Sequence, residues 1–171
     1  LFLCDTPGWQ EWLDKCYAVP ANQKQMTDMQ IGALFLSENA KMDLCQAIID
    51  SGLKITWSAN TRADTADLEM AKMMYKSGCR LVSIGVESGS QKMLEKMGKN
   101  ITLNDVRRTV KVFKQAKIRI YNYFVIGLPW ETEETVEETI KFAIELNSDF
   151  ISFYTATPLP GSRFYDYAKE H

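Results

Sequence analysis

The chain has 171 residues, of which 46% are hydrophobic and 25% charged, and its net charge is −2. These values describe one globular domain with enough material for a sizeable core. They supply no basic patch for phosphate contacts, no apolar run near the ~18 residues that span a membrane, and no signal peptide.

Residues 1–30 carry the weakest pattern. Leu1 to Leu3 are apolar, Cys4 to Gly8 read as a turn, and Trp9 to Tyr17 fit a short amphipathic helix. Ile31 to Leu36 is an expected strand, with Ser37 as the N-cap of a helix whose apolar positions are Met42, Cys45, Ile48 and Ile49, closed by Gly52. Leu53 to Ala59 alternates as a strand and runs into the polar loop from Asn60 to Thr65. Leu68, Ala71 and Met74 mark the next helix. Leu81 to Val86 is an apolar strand that delivers Glu87 to its C-terminal end, before the turn Ser88-Gly89-Ser90 opens another helix. In that turn both serines are expected to cap, and Gly89 to take a positive φ or admit a ligand. A short helix through Leu94 and Met97 follows. Asn104 is then read as the cap of a helix burying Val106, Val110 and Phe113. Ile118 to Ile126 is a long strand with a polar interruption at Asn122, broken by Gly127-Leu128-Pro129-Trp130-Glu131. Val136, Ile140, Ala143 and Ile144 are the expected buried stripe of the next helix. Phe150 to Thr155 is the last strand, and Thr157-Pro158-Leu159-Pro160-Gly161 ends it.

The repeated strand, polar loop and helix predict parallel strands with helical crossovers. A sheet covered on one face curls toward a barrel, and one covered on both faces stays open and doubly wound. One-sided helices fit either architecture. In both, the loops after the strands gather at one edge, bringing together Asn60, Arg62, Glu87, Ser88, Gly127, Pro129, Glu131 and Thr157. This set suits a zwitterionic, partly aromatic ligand. Arg62 is placed to clamp a carboxylate, and Glu87 to meet an ammonium or ribose hydroxyls. Taken singly, each is equally a surface salt bridge or a helix cap. The sole histidine, His171, is the last residue, so no triad can form, and no phosphate-binding loop is present. The cysteines at 4, 16, 45 and 79 lack the close pairs of a zinc site. Cys45 and Cys79 are expected as small buried hydrophobes in a reduced, cytoplasmic protein.

Four motifs in order resemble those of the radical S-adenosylmethionine (radical SAM) superfamily. They are Trp57 to Asp64, Gly85 to Gln91, Tyr123 to Thr132 and Thr157 to Gly161. The nearest likeness is to the branch that often carries an upstream cobalamin-binding domain, and it covers about residues 37–171. The resemblance implies a partial TIM-type (β/α)6 barrel with helices outside. S-adenosylmethionine would lie across the strand ends and be cleaved by a [4Fe–4S] cluster to a 5′-deoxyadenosyl radical, or serve methyl transfer. It implies Glu87 and Ser88 near the ribose and amino-acid part, Asn60 and Arg62 near the polar end, and the backbone of Ile126, Gly127, Leu128 and Pro129 near the adenine. The residues before Pro158 would also flank the adenine. Trp130 stands where the family often has glycine.

The family holds its cluster with three cysteines in CxxxCxxC, which this chain lacks. Leu1-Phe2-Leu3-Cys4 resembles the end of that motif, with Cys4 as the last metal ligand and Leu1 in the second cysteine's place. Apolar Leu1 cannot bind iron. Residues 1–36 are therefore read as a truncated or degenerate start of the barrel, 37–171 as its C-terminal units, and the chain as a piece of something longer. The expected partners are a small-molecule substrate and an upstream domain. Two further readings stand beside this one. The first is a non-catalytic relic or interaction domain on the same half-barrel, and the second is a conventional barrel enzyme for a phosphorylated or zwitterionic metabolite.

Overall fold

A computed structural model of the chain describes residues 29–31 and 38–170. Its elements are β1 (Met29–Ile31), α1 (Glu38–Asp50), β2 (Trp57–Thr61), α2 (Leu68–Lys76), β3 (Cys79–Glu87), α3 (Gln91–Lys96), α4 (Leu103–Gln115), β4 (Arg119–Ile126), α5 (Glu133–Leu146), β5 (Phe150–Thr155) and α6 (Arg163–Glu170). The five strands form one sheet in the order β1-β2-β3-β4-β5, and each neighbouring pair is parallel. Sequential order with right-handed crossovers puts every connecting helix on one face of the sheet. A doubly wound sheet needs a reversal of strand order, and the described strands have none. The fold is α/β, an open sheet of the kind a partial barrel makes.

The helix-covered face is the core. Val82, Ile84 and Val86 of β3, with Ile120 and Phe124 of β4, pack in one cluster with Met70 and Met74 of α2, Val106, Val110 and Phe113 of α4, and Phe142 and Ala143 of α5. Each large side chain buried this way contributes roughly 1.5–3 kcal/mol. The opposite face differs in composition. Parallel register aligns Asn60 with Ser83, Ser83 with Tyr121, and Tyr123 with Ser152. Tyr121 Oη and Ser152 Oγ lie 2.6 Å apart, and Tyr123 Oη donates to Ser83 Oγ at 3.3 Å.

Helix starts follow their caps. Asp67 accepts from the backbone of Glu69 and Met70, and Thr132 with Thr135 forms a reciprocal box at α5. The cap of α4 is Thr102, boxed with Asp105, rather than Asn104. Thr102 has the extended backbone an N-cap requires, whereas Asn104 lies inside the helix.

Other expectations shift as well. β2 begins at Trp57, not Leu53, and Leu53 is exposed. The ladder to β3 starts only at Trp57, whose N–H donates to the Gly78 carbonyl at 3.1 Å. Cys79 opens β3 instead of preceding it. β1 starts before Ile31, while the rest of that expected strand, Ser37 and everything before Met29 lie outside the described residues.

The stripe assigned to α5 is the largest departure. Ile140 and Ile144 are exposed, and Thr135, Thr139, Phe142, Ala143 and Leu146 are buried. Thr139 Oγ1 donates to the Thr135 carbonyl at 2.9 Å and accepts the Gly89 N–H at 3.0 Å, so its hydroxyl is satisfied inside the core.

Candidate functional site

The C-terminal ends of β2 to β5 meet along one edge, as the parallel register requires. Asn60 and Thr61 end β2, Glu87 ends β3 beside Phe124, and Ile126 ends β4 beside Thr155. The Ala156 N–H donates to the Ile126 carbonyl at 2.7 Å, tying the last two loops together.

Glu87 is the focal side chain. Its φ of 70° is left-handed, uncommon for a residue other than glycine, and the register with β4 slips between Gly85 and Glu87. This irregularity ends the ladder and turns the carboxylate back over the strand. Lys99, on the loop after α3, meets it: Nζ lies 2.5 Å from Glu87 Oε1 and donates to the Gly85 carbonyl at 2.8 Å. Both side chains are part-buried, 30% and 25% exposed, so the pair is only partly screened by solvent.

Ser88 sits next in sequence but faces the other way. It is fully buried, with Oγ 3.1 Å from Thr139 Oγ1 and accepting the Ser90 N–H at 3.1 Å. Ser90 occupies the cap position of α3 without a side-chain capping bond. Gly89 does not adopt a positive φ; an added Cβ would lie 2.6 Å from Thr139 Cα and 2.6 Å from Phe142 Cβ. What approaches Gly89 closely is α5, which locks the turn carrying Glu87 onto the helix layer.

Arg62 grips Asp64 with two bonds of 3.0 and 2.9 Å, and the loop is anchored where Thr109 Oγ1 donates to the Ala63 carbonyl at 2.5 Å. Hydrogen bonding to Asp64 raises the Arg62 guanidinium, and the same bonds hold the Asp64 carboxyl below its usual range. A ligand carboxylate at Arg62 would have to share it with Asp64. Asn60 is exposed one residue before Thr61, on the helix-free face.

The turn after β4 is built by Glu131. Its Oε2 accepts from the backbone N–H of Gly127 and, at 3.0 Å, from that of Leu128, while Gly127 takes φ 85°. Oε1 of the same carboxylate is buried without a partner. An open cleft of about 600 Å³ runs along Ile126, Gly127, Leu128, Glu131 and the start of α5. Trp130 leans toward α6, its ring 6.4 Å from that of Tyr167. Pro129 is part-buried in this turn, and exposed Thr157 donates to the Thr155 carbonyl at 3.2 Å. The edge thus collects Asn60, Arg62, Glu87, Ile126, Gly127, Pro129, Glu131 and Thr157, and leaves Ser88 beneath it.

Sequence reasoning passed over Lys99 and the tyrosine face. Lys99 has no local signal, because a whole helix separates it from its partner. The tyrosines at 121 and 123 had one, alternation within β4.

Comparison with known proteins settles the family. The profile of the radical SAM superfamily matches residues 27–143. The chain belongs to the radical SAM superfamily. It is 41% identical over 133 residues to an uncharacterized methyltransferase of Pyrococcus horikoshii, covering 78% of this chain and 29% of that one. It is 32% identical over 123 residues to an anaerobic magnesium-protoporphyrin IX monomethyl ester cyclase of Rubrivivax gelatinosus, covering 71% and 22%. Among solved structures, the radical SAM methyltransferase TsrM of Kitasatospora setae, with cobalamin and a [4Fe–4S] cluster bound, superposes with a TM-score of 0.74. That superposition has 21% identity and covers 86% of this chain and 28% of that one. The chain thus spans less than a third of these relatives.

The described residues do not fit an iron–sulfur cluster. No group of three or more histidine, cysteine or acidic residues among them can hold a metal ion. Cys45 and Cys79 are free and buried in the core, away from the edge. Burial pushes the Cys79 thiol up to about 12 and raises Cys45 as well, against the thiolate that iron requires. Cys4 and Cys16 lie outside the described residues.

Proposed function

We propose that this radical SAM chain forms the S-adenosylmethionine-binding part of a larger enzyme, with the ligand lying along the strand edge. Glu87 carries the reading. The fold accepts a left-handed backbone and a register slip to present this one carboxylate, which is the pattern of strain kept at functional sites. Its neighbour, the Gly127–Glu131 turn, offers backbone groups beside a cleft and a buried carboxylate oxygen without a donor, both suited to the nitrogen-rich edge of an adenine. Asn60 and Arg62 would face the polar end, with Arg62 exchanging Asp64 for the ligand's carboxylate. Ser88 would act from below by holding the turn.

In this family a [4Fe–4S] cluster supplies the electron for reductive cleavage. That group would have to be held by residues other than those described. The names of the relatives support methyl transfer or ring chemistry, and cobalamin on an upstream domain of the whole protein belongs to the same proposal. No described helix is long and apolar enough to cross a membrane, and a cytoplasmic setting with reduced cysteines belongs to the same proposal. Residues 37–171 would be the later units of the barrel. Since no group of metal-binding side chains occurs among the described residues, a second reading stands beside the first, a half-barrel without chemistry that serves as an interaction domain.

Calorimetric titration with S-adenosylmethionine tests the site. Glu87→Gln is expected to weaken binding by roughly 1.5–3 kcal/mol, and Arg62→Ala by less because Asp64 already occupies it. Unchanged affinity in both variants would remove the ligand from this edge. Anaerobic reconstitution with iron and sulfide separates the two readings. The chain alone is expected to hold no cluster and yield no 5′-deoxyadenosine, and stoichiometric iron with cleavage would assign the ligands to residues 1–28.

A further inference from the structure

β5 ends the described sheet: β4 lies on one side of it and no described strand on the other. The Ala156 N–H reaches the Ile126 carbonyl, and parallel pairing alternates, so Phe150, Ser152 and Tyr154 turn their backbone groups to β4. Ile151, Phe153 and Thr155 turn theirs to the open edge. Proteins usually guard such an edge with a lysine, a proline or a bulge. β5 has none of these: its residues include no charge and no proline, and its register with β4 runs without a break. The side chains sort by face. Phe153 stacks on Phe124 over the helix layer, with Ile151 on the same side. Phe150 and Tyr154 lie on the helix-free face, their rings 5.8 and 5.7 Å from those of Tyr121 and Tyr123, with Ser152 between them.

From Ser152 outward, β5 matches its own reverse. We propose that β5 pairs antiparallel with β5 of a second copy of this chain, about a twofold axis at Ser152. That axis sets Ile151 against the partner's Phe153 on the helix side, Phe150 against the partner's Tyr154 on the other, and Ser152 against the partner's Ser152. Apolar and aromatic cross-strand pairs of this kind stabilise a sheet. The same register brings the outward backbone groups of Ile151 opposite those of the partner's Phe153, and each such pair exchanges both of its hydrogen bonds. Moving the axis to Phe153 sets Ser152 against the partner's Tyr154 and Ile151 against the partner's Thr155, and the match is lost. An isologous contact uses up the edge in both copies, so it closes as a dimer. This short edge buries less than the roughly 1,600 Å² of a standard interface, and the dimer should dissociate at about 10–100 µM. At about 1 µM the chain is then a monomer with β5 open.

Analytical ultracentrifugation of the full chain from about 1 to about 300 µM is expected to show a monomer passing to a dimer and nothing larger. Amide hydrogen exchange at both ends of that range locates the contact. Ile151 and Phe153 should be protected only at the high concentration, and Ser152 and Tyr154, whose amides face β4, at both. Ser152→Lys and Ser152→Glu, each alone, set like charges against each other across the axis and should weaken association by roughly tenfold or more. Mixed in equal amounts, the two variants should associate again. Ile144→Lys, on the exposed side of α5, should leave association unchanged. A chain still monomeric at about 300 µM would overturn the proposal. So would protection of Ile151 and Phe153 at every concentration, which means that the chain's own residues cover the edge. Assemblies beyond a dimer, or a dimer that Ile144→Lys abolishes and both Ser152 variants leave intact, would place the contact elsewhere and overturn it too. Should the Ser152 variants fail to fold, exchange in wild type carries the test: protection that rises with concentration at Ile151 and Phe153 sustains the pairing, and protection that does not rise overturns it.

Discussion

β3 and β5 are both apolar strands of one sheet, yet their surroundings are opposite. In β3 five of nine residues are buried and none is exposed, whereas in β5 every residue except the half-buried Ser152 is exposed. Phe150, Ile151, Phe153 and Tyr154 are 37–54% exposed. β3 has β2 and β4 beside it and helices over it; β5 has β4 on one side and no described strand on the other. Apolar composition marks what a strand is built to bury, and neighbours decide whether it does. Glu87, the carboxylate proposed to meet the ligand, sits on the strand with a neighbour on each side.

The largest effect should come from truncating matched rings on the two strands. Phe124 and Phe153 stack with centroids 5.2 Å apart, but Phe124 is fully buried and Phe153 is 42% exposed. Phe124→Ala is expected to cost about 3–5 kcal/mol and Phe153→Ala no more than about 1 kcal/mol, read by urea unfolding. Equal losses would show that β5 is covered in solution and would break the contrast.

Gly89→Ala comes next. The new methyl meets the backbone and side chains of α5, and overpacking of that kind costs about 1–3 kcal/mol. Gly85→Ala meets only the movable ends of Glu87 and Lys99, so it should shift stability little while weakening nucleoside binding. The two glycines thereby separate the support of the turn from its use.

The β3 side of this contrast was legible beforehand. The apolar run of β3, its acidic end and the parallel repeat follow from composition and spacing. What failed was the inward face of α5, because Thr135 and Thr139 count as polar while the structure buries them with their hydroxyls bonded. Thr102 was displaced by Asn104 as the cap because both are good cap residues, and only the box with Asp105 distinguishes them. Lys99 was out of reach, since its meaning arises when α3 folds it back onto Gly85. Ser88 was placed at the right turn, but its burial against Thr139 depends on α5 packing over that turn, which no local pattern shows.

A pH response sharpens the account of the buried strand start. Cys79 has its folded value raised to about 12 from 9.0, mainly by burial, so the folded state holds its proton where the unfolded chain has lost it. The stability this contributes is complete below about 9 and falls as pH rises toward 12. Between about pH 8.5 and 10.5 the loss should approach roughly 2 kcal/mol, and Cys79→Ala should flatten the curve relative to wild type. The smallest expected change is Arg107→Ala, which breaks an exposed pair with Glu145 and should shift stability by no more than about 1 kcal/mol.

The most direct measurement of the central claim is where S-adenosylmethionine perturbs the chain. Amide chemical shifts followed by NMR during titration should move and saturate at Glu87, Gly127, Leu128 and Thr157. They should stay fixed at the opposite end of the sheet, around Lys117, Arg119 and Asp149, where a second open cleft lies. Glu87→Gln should reduce the shifts at the first edge and leave the second silent. Shifts gathered at Lys117 and Asp149, or none that saturate anywhere, would contradict a ligand site at the end of β3.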